Sequence, residues 1–492
     1  MNVVLILADQ LSARWLGAYG NPAAHTPNLD ALAARGVRFE RCYSNTPVCM
    51  PARATLITGR SPQHHGVFYN GYELGTDMPT YPHILHESGY QTLGIGKFHL
   101  ECHGRGAYND VTKYGFERAE TTEDIRCGQW LDWVRDTYPE YYERALATVW
   151  DEPHLARYGP EGVDLRPAIR AAREKYPDRG SLIHPRPSIV PQEAMQTTWI
   201  TERAIDFLRE RDPARPFFLN VSYVDPHDPY DPPQGFLELI DRNAIPHPVR
   251  PEDPSLKQLR EKFQRVPFLR RFADCDEKCW LRLRHYYLAS VAFVDAEIGR
   301  LMAFLERSGL VDETLVIFTS DHGDVLGDHG YAAKGAWHFD ACMRVPLIIA
   351  GPGVRSGMRD FPVSLLDLFP TILDYAGVIS SVPVEGRSLR PLLAQTGELN
   401  RPPAVLVETY GSYGNMDFDL TAKSVVTRDV AYTRFGDGTE LLFDLAADPG
   451  ERKNIAESAS SRVGRMRALM LDLKARQNTP LPLRHRHPFA QH

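Results

Sequence analysis

The chain opens on Asn2-Val-Val-Leu-Ile-Leu-Ala8, an apolar run that stops at Asp9-Gln10. A run this short and this continuous is a strand buried on both faces, as a helix-covered parallel sheet requires. Comparable runs at 92–96, 217–221, 315–319 and 345–350 read the same way. Between them lie segments of helical period at 28–35, 80–88, 197–210 and 284–308. This alternation predicts an α/β fold, with a sheet covered by helices on both faces. Catalytic groups in such folds gather at the C-terminal ends of strands. Asp9, Lys97, His227 and Asp321 each stand just after a predicted strand.

Residues 120–190 break the pattern, being rich in Trp, Tyr, Arg and Pro with weak periodicity. They read as an insertion, either a lid or substrate wall or a plain helical excursion. Residues 241–280 form a second, charged excursion. The character changes again after Pro383, where short strands are predicted at 404–408, 424–427, 430–434 and 440–445, with a closing helix at 462–476. The expected division is a catalytic domain over 1–380, a small C-terminal subdomain over 381–478 and a poorly ordered tail over 479–492.

Composition excludes several classes. With 43% hydrophobic and 24% charged residues the chain is ordinary globular protein. A net charge of −7 gives no footing for nucleic acid or an anionic membrane. No stretch approaches the ~20 apolar residues of a membrane span. No basic leader precedes the first strand, so the expected location is cytoplasmic. Seven cysteines without framework spacing fit a reducing compartment. Cys275 and Cys279 lack the second pair of a zinc site and read as incidental.

The most specific segment is Cys49-Met-Pro-Ala-Arg-Ala-Thr-Leu-Ile-Thr-Gly-Arg60. Pro51 fits a first helical turn, so the run reads as a turn feeding a helix. A cysteine there lies in the positive field of the helix terminus, next to Arg53, and its thiol is acidified. The run resembles the signature of the type I sulfatases of the alkaline phosphatase superfamily, and the resemblance extends along nearly the whole chain. It implies a sandwich with a large mixed central sheet, plus a small C-terminal α+β domain with a short antiparallel sheet. The pattern Glu440-Leu-Leu-Phe-Asp-Leu445 followed by Asp448-Pro-Gly-Glu-Arg-Lys-Asn454 matches that second domain.

The resemblance also implies a site. Cys49 is converted by a formylglycine-generating or sulfatase-maturating enzyme to formylglycine, whose hydrate is the nucleophile. One divalent ion, calcium or alternatively manganese, is held by Asp9, Gln10, position 49, Asp321 and His322. Gln10 stands where an aspartate is common, and His322 where asparagine is common. Arg53, Lys97 and Lys334 meet the anion of a small sulfate ester. His99 holds the aldehyde hydrate and later takes its proton, and His227 assists the leaving oxygen. The covalent stage is a sulfated hemiacetal, resolved by C–O cleavage. Asp324, Asp328 and His329 are expected to be supporting residues.

Met50 stands where most sulfatases carry a small residue. With Gln10 and His322 it is similar to the phosphonate monoester hydrolases, which makes phosphonate monoester or phosphodiester hydrolysis the alternative. The Gly96-Lys97-Phe-His99 element favours the sulfatase. A two-zinc phosphatase needs a second set of Asp/His ligands near Asp225 or Asp321, and a non-catalytic relative would have lost part of the constellation. The sequence leaves open the organic part of the substrate and whether the chain forms a homo-oligomer.

Overall fold

The structure is a computed structural model that describes residues 1–103, 106–150, 153–178, 180–397, 399–411 and 418–477. The tail expected over 479–492 lies outside the described residues. In chain order the strands are β1 (Asn2–Ala8), β2 (Val37–Phe39), β3 (Cys42–Tyr43), β4 (Gln91–Gly96), β5 (Arg118–Thr121), β6 (Phe217–Tyr223), β7 (Thr314–Ser320), β8 (Arg344–Val345), β9 (Leu347–Ala350), β10 (Gly357–Arg359), β11 (Val363–Ser364), and β12 to β15 (Ala404–Thr409, Ala422–Thr427, Val430–Phe435, Glu440–Asp444). Eight of them form one mixed sheet in the order β10-β2-β9-β7-β1-β6-β4-β5.

The first apolar run sits in the middle of this sheet. Val4, Ile6 and Ala8 pack into one hydrophobic core, while Val3, Leu5 and Leu7 pack into the other. Burial on both faces is why β1 shows no polar alternation. It runs parallel to β6 on one side and β7 on the other, with Ala8 opposite both Tyr223 and Ser320. Gly96, the last residue of β4, lies opposite Ser222 of β6. Asp9, Lys97 and Asp321 therefore leave β1, β4 and β7 at the same end of the sheet. Gly96 has φ 97°, and a Cβ there would lie 2.0 Å from the carbonyl oxygen of Ser222. Only glycine lets the chain turn so tightly towards Lys97.

The strand expected at 345–350 is two strands. Pro346 lacks an amide hydrogen and interrupts the ladder, so β8 pairs with β3 while β9 joins the main sheet. The helix expected at 284–308 runs instead from Glu277 to Arg307, capped by the Asp276 carboxylate on the amide of Cys279. Its charged first turns hid the period. Cys275 and Cys279, read as incidental, are joined by a disulfide at this cap.

At the C-terminus β12 to β15 form an antiparallel sheet, covered by the helix Ser460–Gln477, with Val425, Tyr432, Leu442, Met466 and Met470 between them. The fold is thus the expected α/β sandwich with a large mixed sheet and a small antiparallel one. Among the described residues no helix is long and apolar enough to cross a membrane.

Candidate active site

The helix Cys49–Thr58 begins at Cys49, with Pro51 in its first turn, and every residue of it is buried. Cys49 meets the sheet edge at the helix N-terminus, where backbone amides lend partial positive charge. Its Sγ lies 3.2 Å from His322 Nε2. Ligand-type atoms of Asp9, Cys49, Asp321 and His322 all lie within 4.8 Å of one another, and all four residues are buried.

The cluster has the chemistry of a cation site. Asp9 Oδ1 is buried without a hydrogen bond, while Oδ2 faces Lys97 at 2.5 Å and Arg53 at 3.4 Å. His322 Nδ1 donates to the Gly323 carbonyl at 3.0 Å, which leaves the Nε2 lone pair for the cluster. Burial holds the His322 pKa below that of an ordinary histidine, so the ring is neutral. Burial alone would raise the Asp9 carboxyl, but Lys97, His227, Arg53 and Lys334 outweigh it and hold it well below the usual carboxylate range. Two carboxylates and a neutral imidazole suit calcium or manganese.

Gln10 adopts φ 64°. Its amide group donates to Asp324 Oδ2 at 2.6 Å, and its Oε1 accepts from Lys334 Nζ at 2.7 Å. Its carbonyl oxygen is thereby aimed at an ammonium beside the cluster. Asp324 takes a second hydrogen bond from Tyr230 at 2.6 Å. Asp328 pairs with Arg284 at 2.6 Å, and His329 stacks on Phe339.

The cations separate into two groups. Lys334 Nζ lies 2.6 Å from His227 Nε2, and His227 Nδ1 donates to its neighbour's carbonyl at 2.8 Å. Lys334, His227 and His99 line a cavity of about 690 Å³. Arg53 and Lys97 do not line it. Arg53 binds Asp321 at 2.9 Å through Nε, and Ser222 at 3.0 Å through Nη1. Lys97 is wholly buried, 2.5 Å from Asp9 and 3.1 Å from Asp124. These two cations neutralise carboxylates inside the protein. His99 holds a left-handed backbone at φ 48°. Burial, His103 and Lys97 drive its pKa well below that of a free imidazole, so the ring is neutral.

The sulfatase family profile matches residues 1–378 of the chain. The chain belongs to the sulfatase family. It is accordingly an enzyme, a sulfuric ester hydrolase of the alkaline phosphatase superfamily. A second profile, the C-terminal part of N-sulphoglucosamine sulphohydrolase, matches residues 327–477. This sulfatase is 29% identical to an arylsulfatase of Clostridium perfringens, with 97% of this chain and 95% of the relative covered. It is 30% identical to a choline-sulfatase of Rhizobium meliloti, with 96% and 87% covered. Its fold matches the phosphonate monoester hydrolase of Agrobacterium radiobacter with a TM-score of 0.78 at 26% identity, covering 97% and 96% of the two chains.

Both excursions of this sulfatase reach the cavity. Ala147, Trp150 and Leu182 come from the first, Phe268 and Arg271 from the second, and Met50 adds a thioether. Residues 120–190 thus contain helices and also form a wall. Sequence reasoning missed His103, Glu123 and Asp124, which surround Lys97 and His99. No motif marks Glu123 and Asp124, whose segment has weak periodicity, and His103 falls just past the Gly96-Lys97-Phe-His99 element.

Asp225 offers a stability test apart from catalysis. Burial and the Asp231 carboxylate raise its pKa to about 6, against roughly 3.9 in an unfolded chain. The folded state holds this proton more tightly. Its contribution is therefore full below the unfolded value and is lost as pH rises through about 6. Asp225→Asn keeps a neutral acceptor for the Thr197 hydroxyl, which lies 2.6 Å away. The variant is expected to be more stable than the parent at pH 8, by about 1–3 kcal/mol, and equal to it below pH 4. Denaturant melts at the two pH values measure this.

Proposed function

We propose that this sulfatase hydrolyses aryl or other small organic sulfate esters with a formylglycine hydrate made from Cys49 as its nucleophile. The observation that carries the reading is the position of the Cys49 sulfur. It sits in one buried cluster with Asp9, Asp321 and His322, beside the cavity lined by His99, His227 and Lys334. The sulfur stands in for an oxygen of the modified residue. Cys49 is fully buried, so a formylglycine-generating enzyme has to act before the chain closes over it.

Asp9, Asp321, His322 and the oxygen of residue 49, with Gln10 alongside, would hold one calcium or manganese ion. When bound, the ion supplies positive charge for the ester anion and favours the ionised nucleophile. The chain's own residues do the rest. The position-49 oxygen forms a bond to sulfur as the bond from sulfur to the leaving alkoxide breaks. Lys334 and His227, hydrogen-bonded to each other, deliver the proton that the alkoxide takes. Neutral His99 then removes the proton of the second hydroxyl on the same carbon, the carbonyl re-forms, and sulfate leaves by C–O cleavage. Lys97 and Arg53 help hold the Asp9 carboxyl well below the usual carboxylate range, and Arg53 pairs with Asp321.

Met50 in the cavity wall and the phosphonate hydrolase fold match support a second reading, hydrolysis of phosphonate monoesters. A kinetic panel decides between them. Fully modified enzyme is expected to show a higher kcat/KM on an aryl sulfate than on an aryl phosphonate monoester with the same leaving group. The reverse order overturns the sulfate assignment and leaves the nucleophile intact.

A further inference from the structure

We propose that the ester this enzyme acts on has a leaving group with a flat apolar body and a second negative charge, the body packed against Trp150 and Phe268 and the charge received by Arg271. The inference deepens the sulfate-ester reading above and rests on it. A cavity of about 690 Å³ is of the size that takes a drug-sized ligand, roughly 300–1,000 Å³. Most of it is therefore left for the alcohol once the sulfate group sits beside Lys334 and His227. Trp150, Leu182 and Phe268 give that space an apolar lining, and Arg271 lines the same cavity.

The charges of the cavity wall decide what else the alcohol carries. Its carboxylates are Asp124, Asp228 and Asp231. Asp231 takes both arms of Arg126, at 2.6 and 2.5 Å. Asp124 faces His103 at 2.8 Å and Lys97 at 3.1 Å. Asp228 faces His227 at 3.5 Å and accepts from Gln10 at 3.3 Å. Each is held by a group of the protein itself. Arg271 differs. It is exposed, and among the described residues no carboxylate pairs with its guanidinium. A guanidinium is always charged, and its planar fork of donors fits a carboxylate or a second sulfate. An anionic substituent on the leaving group is the partner that this chemistry recognises.

The wall that carries Arg271 is fixed before any ligand arrives. Phe268 lies in the short helix Pro267–Arg270, and the Arg271 amide donates to the Phe268 carbonyl at 3.2 Å. Ring and guanidinium are thus one turn apart, the spacing that makes side chains neighbours. The Phe268 ring packs on Phe272 with centroids 5.6 Å apart, and Phe272 stacks on Trp280 at 5.4 Å. Trp280 in turn covers Gly327, where a Cβ would come within 2.5 Å of the indole. Gly327 belongs to the loop that leaves β7 with Asp321 and His322. The apolar wall and the cation cluster are therefore parts of one packed unit. Apolar groups held in place this way lose little freedom when a ligand binds.

The test compares para-carboxyphenyl, para-carbamoylphenyl and para-trimethylammoniophenyl sulfate on fully modified, full-length enzyme. The amide matches the acid in shape and is the better leaving group, so an advantage of the acid has to come from its charge. The acid is expected to exceed the amide in kcat/KM by about 5- to 10-fold, chiefly through KM. The ammonium ester should be the poorest, and added salt should narrow the gap between acid and amide. Arg271→Gln should bring acid and amide to parity, and Arg271→Lys should keep part of the gap. Substitution at this exposed position is expected to leave the fold intact, which a denaturant melt checks. Acid and amide turned over alike by the parent, a faster ammonium ester, or a gap that survives Arg271→Gln overturns the proposal. The same pair made as phosphonate monoesters separates it from the sulfate assignment. If only the phosphonates turn over, the sulfate reading fails, while an acid-over-amide gap abolished by Arg271→Gln still upholds the subsite.

Discussion

Cys49→Ser is expected to fold and to bind metal as the parent does, yet to lose turnover by at least about 10³-fold. The physical reason lies in oxygen count. A formylglycine hydrate carries two hydroxyls on one carbon, so one can attack sulfur and the other can expel sulfate. Serine carries one, and after attack it is a stable sulfate ester with no internal route to release. Sulfate esters resist water, so the enzyme stalls at the covalent stage. Packing changes little, because the replaced atom is a single buried sulfur whose neighbours are His322 at 3.2 Å and the Lys334 ammonium. The measurement is intact mass before and after substrate, together with steady-state kinetics. A mass gain of one sulfate on an otherwise serine-bearing peptide is the expected signature. Multiple turnovers at the parent rate, with serine confirmed at position 49, would refute the two-hydroxyl mechanism.

Much of this site was legible because its residues lie next to strands that announce themselves. β1 has both faces buried, so its sequence is a pure apolar run and its end marks Asp9 without ambiguity. β7 marks Asp321 in a similar way, and the shorter apolar stretch of β4, Leu93 to Gly96, marks Lys97. Cys49 was legible from a local motif. What the chain hides is how side chains are used once the elements meet. Lys97 and Arg53 are expected from the resemblance to meet the substrate anion, and the structure pairs them with Asp9, Asp124 and Asp321. Only the tertiary juxtaposition of three strand ends shows that. Glu123 and Asp124 follow a short edge strand, in a stretch without period; Asp124 reaches Lys97, and Glu123 reaches the amides of Phe98 and His99 across 25 and 24 positions. The Arg126–Asp231 pair beside them spans 105 positions and closes at 2.5 Å. No spacing rule connects such partners. The disulfide at Cys275 and Cys279 was hidden for a related reason, because a pair one turn apart carries no framework signal.

Asp9→Asn is expected to remove activity by a similarly large factor, and its cause can be split by a second substitution. Asp9 does two jobs. In the function proposed above it would offer a carboxylate oxygen to the cation cluster, and it neutralises Lys97, which is wholly buried 2.5 Å away. Replacing it with an amide leaves that ammonium with Asp124 at 3.1 Å as its remaining ion-pair partner. Breaking a buried pair from one side costs about 3–5 kcal/mol. The single variant should therefore melt at lower denaturant as well as lose its metal. In Asp9→Asn with Lys97→Met the unpaired ammonium is gone, and Asp124 retains His103 at 2.8 Å. Stability should then recover most of what was lost, while activity and metal content stay low. Denaturant melts, metal counting and kinetics on the four proteins of this cycle give the two contributions separately. If the double variant regains activity along with stability, Asp9 serves only to balance charge, and the metal assignment at this cluster is wrong. If neither variant is destabilised, Lys97 is neutral when buried, and the electrostatic account of the sheet edge fails.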